Sequence, residues 1–139
     1  MKIERLDHLV IAVDELGPAV EAWADVLEIA AEAPVQPAGT HMELAFLRPG
    51  GPDANAAFLE LVRATAASHR VAKFVAERGE GMFSVSLEVG DLDAAVAELR
   101  AQGVEVSDPE PGALPGTRVA RIPRAKAHGV AVQLIERAG

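Results

Sequence analysis

The hydrophobic and polar positions change period along the chain, and each change marks an element. Residues 6–13, Leu6-Asp7-His8-Leu9-Val10-Ile11-Ala12-Val13, alternate too little for a strand with one wet face and predict a strand covered on both sides. Beyond Asp14-Glu15 the spacing lengthens. Leu16, Val20, Trp23 and Leu27 recur at helical intervals and predict the buried stripe of a helix, with Trp23 as a core residue. Gly17-Pro18 opens that helix, because proline's missing N–H is no loss in the first turn. Pro34 to Gly39 reads as a loop and His41 to Leu47 as a strand. The turn Arg48-Pro49-Gly50-Gly51-Pro52-Asp53 leads back into a partner strand from Ala56 to Arg63, which makes a hairpin. Ser68 is the expected cap of a second helix, with Val71, Phe74 and Val75 inward and Gly79 ending it.

The front pattern then recurs. Phe83-Ser84-Val85-Ser86-Leu87-Glu88-Val89 followed by Gly90-Asp91-Leu92 repeats the strand, polar turn and helix, with Val13 answering to Val89, Leu16 to Leu92 and Ala19-Val20 to Ala95-Val96. By that offset His8 answers to Ser84. Asp91 caps the repeated helix, Leu92, Ala95, Val96 and Leu99 form its buried stripe, and Gln102-Gly103 stops it. Val104 to Val106 reads as a short strand, Ser107 to Gly116 as a proline-rich loop, Thr117 to Ile122 as a strand, Arg124 to His128 as a turn and Gly129 to Arg137 as the last strand. Each half thus reads βαβββ, an α+β class. Residues 1–66 form the first module, 67–81 a linking helix and 82–139 the second module, within one structural domain.

Composition narrows the function. The 139 residues are half hydrophobic, enough to bury a core, and contain no cysteine, so thiolate metal sites and cysteine nucleophiles are excluded. No basic-then-apolar leader and no membrane-length apolar run is present, so a cytoplasmic protein with no membrane partner is the expectation. A net charge of −8 argues against nucleic acid as a partner. Arg118, Arg121, Arg124 and Lys126 form one local basic cluster, read either as a solvated strand and loop or as a rim that contacts an anionic substrate.

Two βαβββ modules opening on Asp7-His8-Leu9-Val10-Ile11-Ala12-Val13 and its repeat resemble the vicinal oxygen chelate superfamily, which includes glyoxalase I, extradiol dioxygenases and bleomycin-resistance proteins. The chain looks most like methylmalonyl-CoA epimerase through Asp7-His8, Val71-Ala72-Lys73-Phe74, Arg78-Gly79-Glu80-Gly81, Leu87-Glu88-Val89, Ile122-Pro123-Arg124, His128-Gly129-Val130 and Leu134-Ile135-Glu136. The resemblance implies a mixed sheet curled into cups around one divalent metal ion. It implies His8, Glu60 and Gln133 as metal ligands, with Ser84 where the family has a second histidine and Gln133 where it has a glutamate. Glutamine is a usable neutral oxygen ligand, whereas a serine hydroxyl is a poor one at neutral pH. The alternative is a metal-free pocket in which His8 and Glu60 form a hydrogen-bonded pair.

On the strand His41 to Leu47, His41, Glu43 and Ala45 share one face and Met42, Leu44 and Phe46 the other. If Met42, Leu44 and Phe46 pack on the helices, Glu43 points into the cup, where the resemblance implies a proton-transferring carboxylate. Glu43 and Glu60 are thus the candidate catalytic residues, and His41, Ser84, Arg118 and Arg121 the candidate substrate contacts. The implied activity is a proton-transfer isomerase or lyase on an acyl thioester, for instance of coenzyme A, or on a related small carbonyl compound. The second reading is a noncatalytic small-molecule binder of the bleomycin-resistance type. A homodimer is the implied assembly.

Overall fold

In the computed structural model, which describes residues 1–53 and 55–138, strands and helices follow one another as the changing periods require. Strand β1 spans Ile3–Ala12, helix α1 Leu16–Leu27, β2 Met42–Leu47, β3 Phe58–Ala64, α2 Arg70–Arg78, β4 Gly81–Val89, α3 Leu92–Ala101, β5 Glu110–Pro111, β6 Thr117–Ile122 and β7 Ala131–Arg137. The fold is α+β. No helix among the described residues is long and apolar enough to cross a membrane. The chain divides into a continuous unit, His8–Phe83, and a split unit, Met1–Asp7 with Ser84–Gly139. The division falls inside β1.

In the continuous unit the strand order is β2-β3-β1, with β3 parallel to β1 and antiparallel to β2. The register sets Val10 beside Glu60 and Glu60 beside Phe46, and it sets Ile11 beside Leu61 and Leu61 beside Ala45. Side chains alternate between faces, so these are two opposite rows. The second row packs on α1, where Val13, Leu16, Ala45, Leu47 and Leu61 form a core flanked by Val20 and Trp23. Leu27 departs from the expected stripe. The last turn of α1 carries Val26 and Leu27 out to solvent, at 77% and 55% exposure, before Glu28 ends the helix in a left-handed conformation. Two single bridges, Ala31 to Leu47 and Val35 to Leu44, run along β2 within and just ahead of the stretch expected to be only loop.

Helix α2 begins one residue later than the sequence suggests. Its cap is His69, not Ser68: the His69 Nδ1 accepts the Val71 N–H at 3.1 Å, and Gly79 at φ 81° ends the helix. An imidazole nitrogen satisfies an orphan helix donor as a serine oxygen would. Replacing His69 with Ala is therefore expected to cost about 1 kcal/mol in denaturant unfolding, and His69→Asp to recover most of it. A loss in the Ala variant that Asp does not recover would show that the cap is not what His69 contributes.

In the split unit the order is β4-β7-β6-β5, with β4 parallel to β7 and the other pairs antiparallel. Helix α3 forms as its sequence requires. Asp91 accepts the Ala94 N–H at 3.0 Å, and Leu92, Ala95, Val96 and Leu99 pack with Val89, Val106, Ala120 and Leu134. The short strand lies at Glu110–Pro111 rather than at Val104 to Val106. The Val104 N–H is used to close the end of α3 on the Leu99 carbonyl at 2.9 Å, although Val106 still packs into the core.

The leading half of β1 is tied to this unit by charge. Asp7 is fully buried and accepts from Arg137 Nε and Nη2, both at 2.8 Å, and from Arg5 Nη2 at 3.0 Å. Arg5 Nε in turn donates to Glu88 at 2.6 Å. The bond to Asp7 raises Arg137 above the ordinary arginine value, against the opposing effect of burial.

Candidate functional site

The face of the continuous unit that turns away from α1 carries an unusual row for a strand interior. His8 and Val10 of β1, Phe58, Glu60 and Val62 of β3, and Leu44 and Phe46 of β2 share it by register. His8 is 3% and Glu60 8% exposed, so an imidazole and a carboxylate sit among apolar side chains. A buried carboxylate is costly unless its oxygens are bonded. Among the described residues no buried side-chain nitrogen or oxygen lacks a hydrogen-bond partner.

His8 is held by its neighbours. Its ring stacks on Phe58 with centroids 4.8 Å apart and planes 11° from parallel, and Phe46 meets Phe58 edge-on at 5.6 Å. The guanidinium of Arg48, just past the end of β2, lies 4.7 Å from the Phe58 centroid and 6.0 Å from that of Phe46. Contacts of this geometry combine stacking with cation–π attraction. From the sequence alone Arg48 reads only as a turn residue. Its place two residues beyond Phe46, on the same side of the strand, was the available signal.

Glu43 lies elsewhere. It falls beside Arg63 in the register, in the row that includes Ala45 and Leu47, and it accepts from Gln36 Nε2 at 2.9 Å. The expected orientation of β2 is thus corrected: Ala45 and Leu47 pack on α1, and Leu44 and Phe46 share the face with Glu60. Residues 44 to 47 are all buried, so both faces of the strand are apolar there and alternation alone could not tell them apart. His41 precedes β2, is exposed, and has a left-handed backbone with φ 54°. On the α1 side a separate cleft of about 500 Å³ is walled by Ile11, Val13, Pro18, Ala19 and Trp23 and edged by Asp14, Glu15 and Glu80. Trp23 therefore both flanks the core and lines a cleft, away from Glu60.

In the split unit the corresponding row carries neutral polar groups. Ser84 and Ser86 of β4 stand beside Ala131 and Gln133 of β7, and Gln133 stands beside Arg121 of β6. Ser84 is 7% exposed and Ser86 fully buried, and Gln133 Nε2 donates to Ser86 Oγ at 3.0 Å. Arg121 keeps to this face but is ion-paired with Glu110.

Arg118 does not join it. It stands beside Glu136 in the opposite row, and its two terminal nitrogens each bond an Asp93 oxygen at 3.0 Å. The expected anion-contacting pair of Arg118 and Arg121 is thus separated by the sheet, because three residues along a strand change its side.

The Arg118 hydrogen bond holds Asp93 below its usual carboxylate range, and Asp93 raises Arg118 in return. Asp93 is thus depressed in the folded state, so its contribution is present above the unfolded value and lost as pH falls through the folded one. The pair is exposed and its effect on stability small. An NMR titration is expected to show the Asp93 carboxyl titrating low, and Arg118→Ala to return it towards the ordinary aspartate value.

A divalent metal needs several strong donors. The continuous unit supplies one imidazole and one carboxylate; the split unit supplies hydroxyls and an amide already bonded to Ser86. No group of three or more His, Asp or Glu among the described residues is placed to hold an ion. Neither unit by itself supplies three strong donors, so the ligand set expected from His8, Glu60 and Gln133 is not met within either one.

A strand-borne imidazole and carboxylate on one buried face, in a βαββ half where βαβββ was expected, followed by a βαβββ half that opens the same way, define a class. Residues 7–120 match the glyoxalase/bleomycin resistance protein/dioxygenase superfamily, and the chain belongs to it. Among solved structures it resembles a variant of methylmalonyl-CoA epimerase from Streptomyces coelicolor in complex with 2-nitronate-propionyl-CoA. The two are 27% identical over 99% of this chain and 97% of that one, with a TM-score of 0.87. Methylmalonyl-CoA epimerase from Mycobacterium tuberculosis is 31% identical over 99% of this chain and 90% of its own, with a TM-score of 0.85. A further methylmalonyl-CoA epimerase, in complex with methylmalonyl-CoA and NH4+, is 26% identical over 99% and 97%, with a TM-score of 0.87. No curated protein matches the sequence.

Proposed function

We propose that this chain is a proton-transfer enzyme acting at the carbon beside the carbonyl of an acyl thioester, with coenzyme A as the thioester's carrier. The observation that supports it is Glu60, a buried carboxylate on an apolar face that it shares with a stacked histidine. Likeness to epimerases that bind such thioesters supports the choice of substrate class. Glu60 takes the proton from carbon, the electron pair moves onto the carbonyl oxygen, and an N–H of His8 supports the charge that gathers there. The same carboxylate then returns the proton. A carboxylate buried on an apolar face suits this task because water does not compete for it.

The test is deuterium exchange. Methylmalonyl-CoA or propionyl-CoA is incubated with the protein in D2O, and loss of the signal of the hydrogen beside the carbonyl is followed by NMR. Exchange well above the buffer rate is expected. Exchange at the buffer rate removes the proposal, and tight thioester binding without exchange favours the noncatalytic binder.

A further inference from the structure

A second concavity lies on the α1 side of the sheet, where the proposed reaction makes no use of it. This cleft of about 500 Å³ belongs wholly to the continuous unit. Ile11 of β1 and the adjoining Val13 line it, with Pro18, Ala22 and Trp23 of α1. Pro18 and Ala22 are exposed and one helical turn apart, and the indole of Trp23 is only partly covered by the core it flanks. The mouth carries charge of one sign. Asp14, Glu15 and Glu80 are exposed at its edge, and Glu80 is held there by the Asp14 N–H, which donates to its carboxylate at 2.8 Å. No lysine, arginine or histidine among the described residues lines the cleft, and the chain has no lysine or arginine between Arg5 and Arg48.

We infer that this cleft binds a small organic cation with an apolar body, of the aryl- or alkylammonium class. Its volume lies within the range of ordinary small-molecule sites, ~300–1,000 Å³. Apolar walls take the body of such a ligand out of water, an indole face attracts its cationic head, and carboxylates at the mouth repel anions. A second copy of this chain is a poor occupant, since two molecules of net charge −8 repel each other. Glu60 lies in the row that faces away from α1, so the cation and the thioester do not compete for one place. The cleft's ligand is therefore independent of the proposed reaction.

Trp23 is the only tryptophan and the chain has no tyrosine, so intrinsic fluorescence reads this cleft directly. The protein is titrated with phenylbutyltrimethylammonium, with phenylbutanol and phenylbutyrate as its neutral and anionic counterparts, and with tetramethylammonium as the charge without the body. The aryl cation is expected to shift Trp23 emission saturably and to bind at least about tenfold more tightly than the alcohol or tetramethylammonium. Phenylbutyrate is expected to bind no better than the alcohol, and added salt to narrow the preference for the cation. Two variants locate the site. With Asp14→Asn, Glu15→Gln and Glu80→Gln combined, the aryl cation and the alcohol are expected to bind equally. Glu15 makes no side-chain capping bond and glutamine keeps an oxygen for the Asp14 N–H, so α1 is left intact. Ala22→Arg, at an exposed helix position, sets a guanidinium at the cleft wall and is expected to abolish binding of the aryl cation. No saturable shift in wild type, equal binding of the aryl cation and the alcohol, or tetramethylammonium binding as tightly as the aryl cation overturns the inference. A preference that survives in the neutralised variant, or unaltered binding by Ala22→Arg, does the same by placing the ligand elsewhere.

Discussion

Glu60→Gln is expected to slow hydrogen exchange beside the thioester carbonyl by about 10²–10⁴-fold, the usual worth of a positioned general base. Glutamine nearly matches glutamate in shape, so packing against Val10 and Phe46 survives while the ability to accept a proton is gone. Substrate affinity is expected to change little and the loss to fall on kcat, since the proton is accepted only in the reacting complex. Glu43→Gln is the contrasting variant, because Glu43 lies in the row that faces α1 and bonds Gln36. It is expected to retain exchange. Should the Glu60 variant keep more than about a tenth of the wild-type rate, another group takes the proton.

Asp7→Asn is expected to destabilise the fold by about 3 kcal/mol, as breaking a buried ion pair commonly does. The carboxylate is wholly buried and satisfies two arginines, with a two-point contact to Arg137. Asparagine offers a single acceptor oxygen and no charge, so Arg137 loses its two-point carboxylate, Arg5 keeps only Glu88, and one amide donor faces both cations. For a chain of this length the melting temperature is expected to drop by roughly 10 °C. Arg5→Met is the milder comparison, since Asp7 keeps its two bonds to Arg137. A change within about 0.5 kcal/mol for Asp7→Asn would place the cluster with surface pairs instead.

The repeat carried most of the fold. Asp91 at a cap position and the spacing of Leu92, Ala95, Val96 and Leu99 were enough to place α3, because local bonds and one apolar stripe determine such a helix. His8 and Glu60 were legible for a related reason: each is a polar residue in a strand whose neighbours are apolar. Glu43 was misplaced because β2 is buried on both faces, and the choice between them depends on which one α1 covers. Arg118 and Arg121 were read as one cluster from their closeness in sequence. Their partners, Asp93 and Glu110, come from other elements and follow only from the strand register. The stack of His8, Phe58 and Arg48 needs the same register, across three segments distant in sequence.

The division of β1 between the two units also has a consequence for synthesis. Asp7 waits for Arg137, 130 residues further on, and at about 5–20 residues per second that interval is on the order of ten seconds. Residues 8–83 can collapse on the ribosome meanwhile, whereas the tail ahead of them carries an acid with only Arg5 beside it and an open strand edge until translation is nearly done. Nascent chains released short of Arg137 should therefore be good chaperone clients even though one unit is complete.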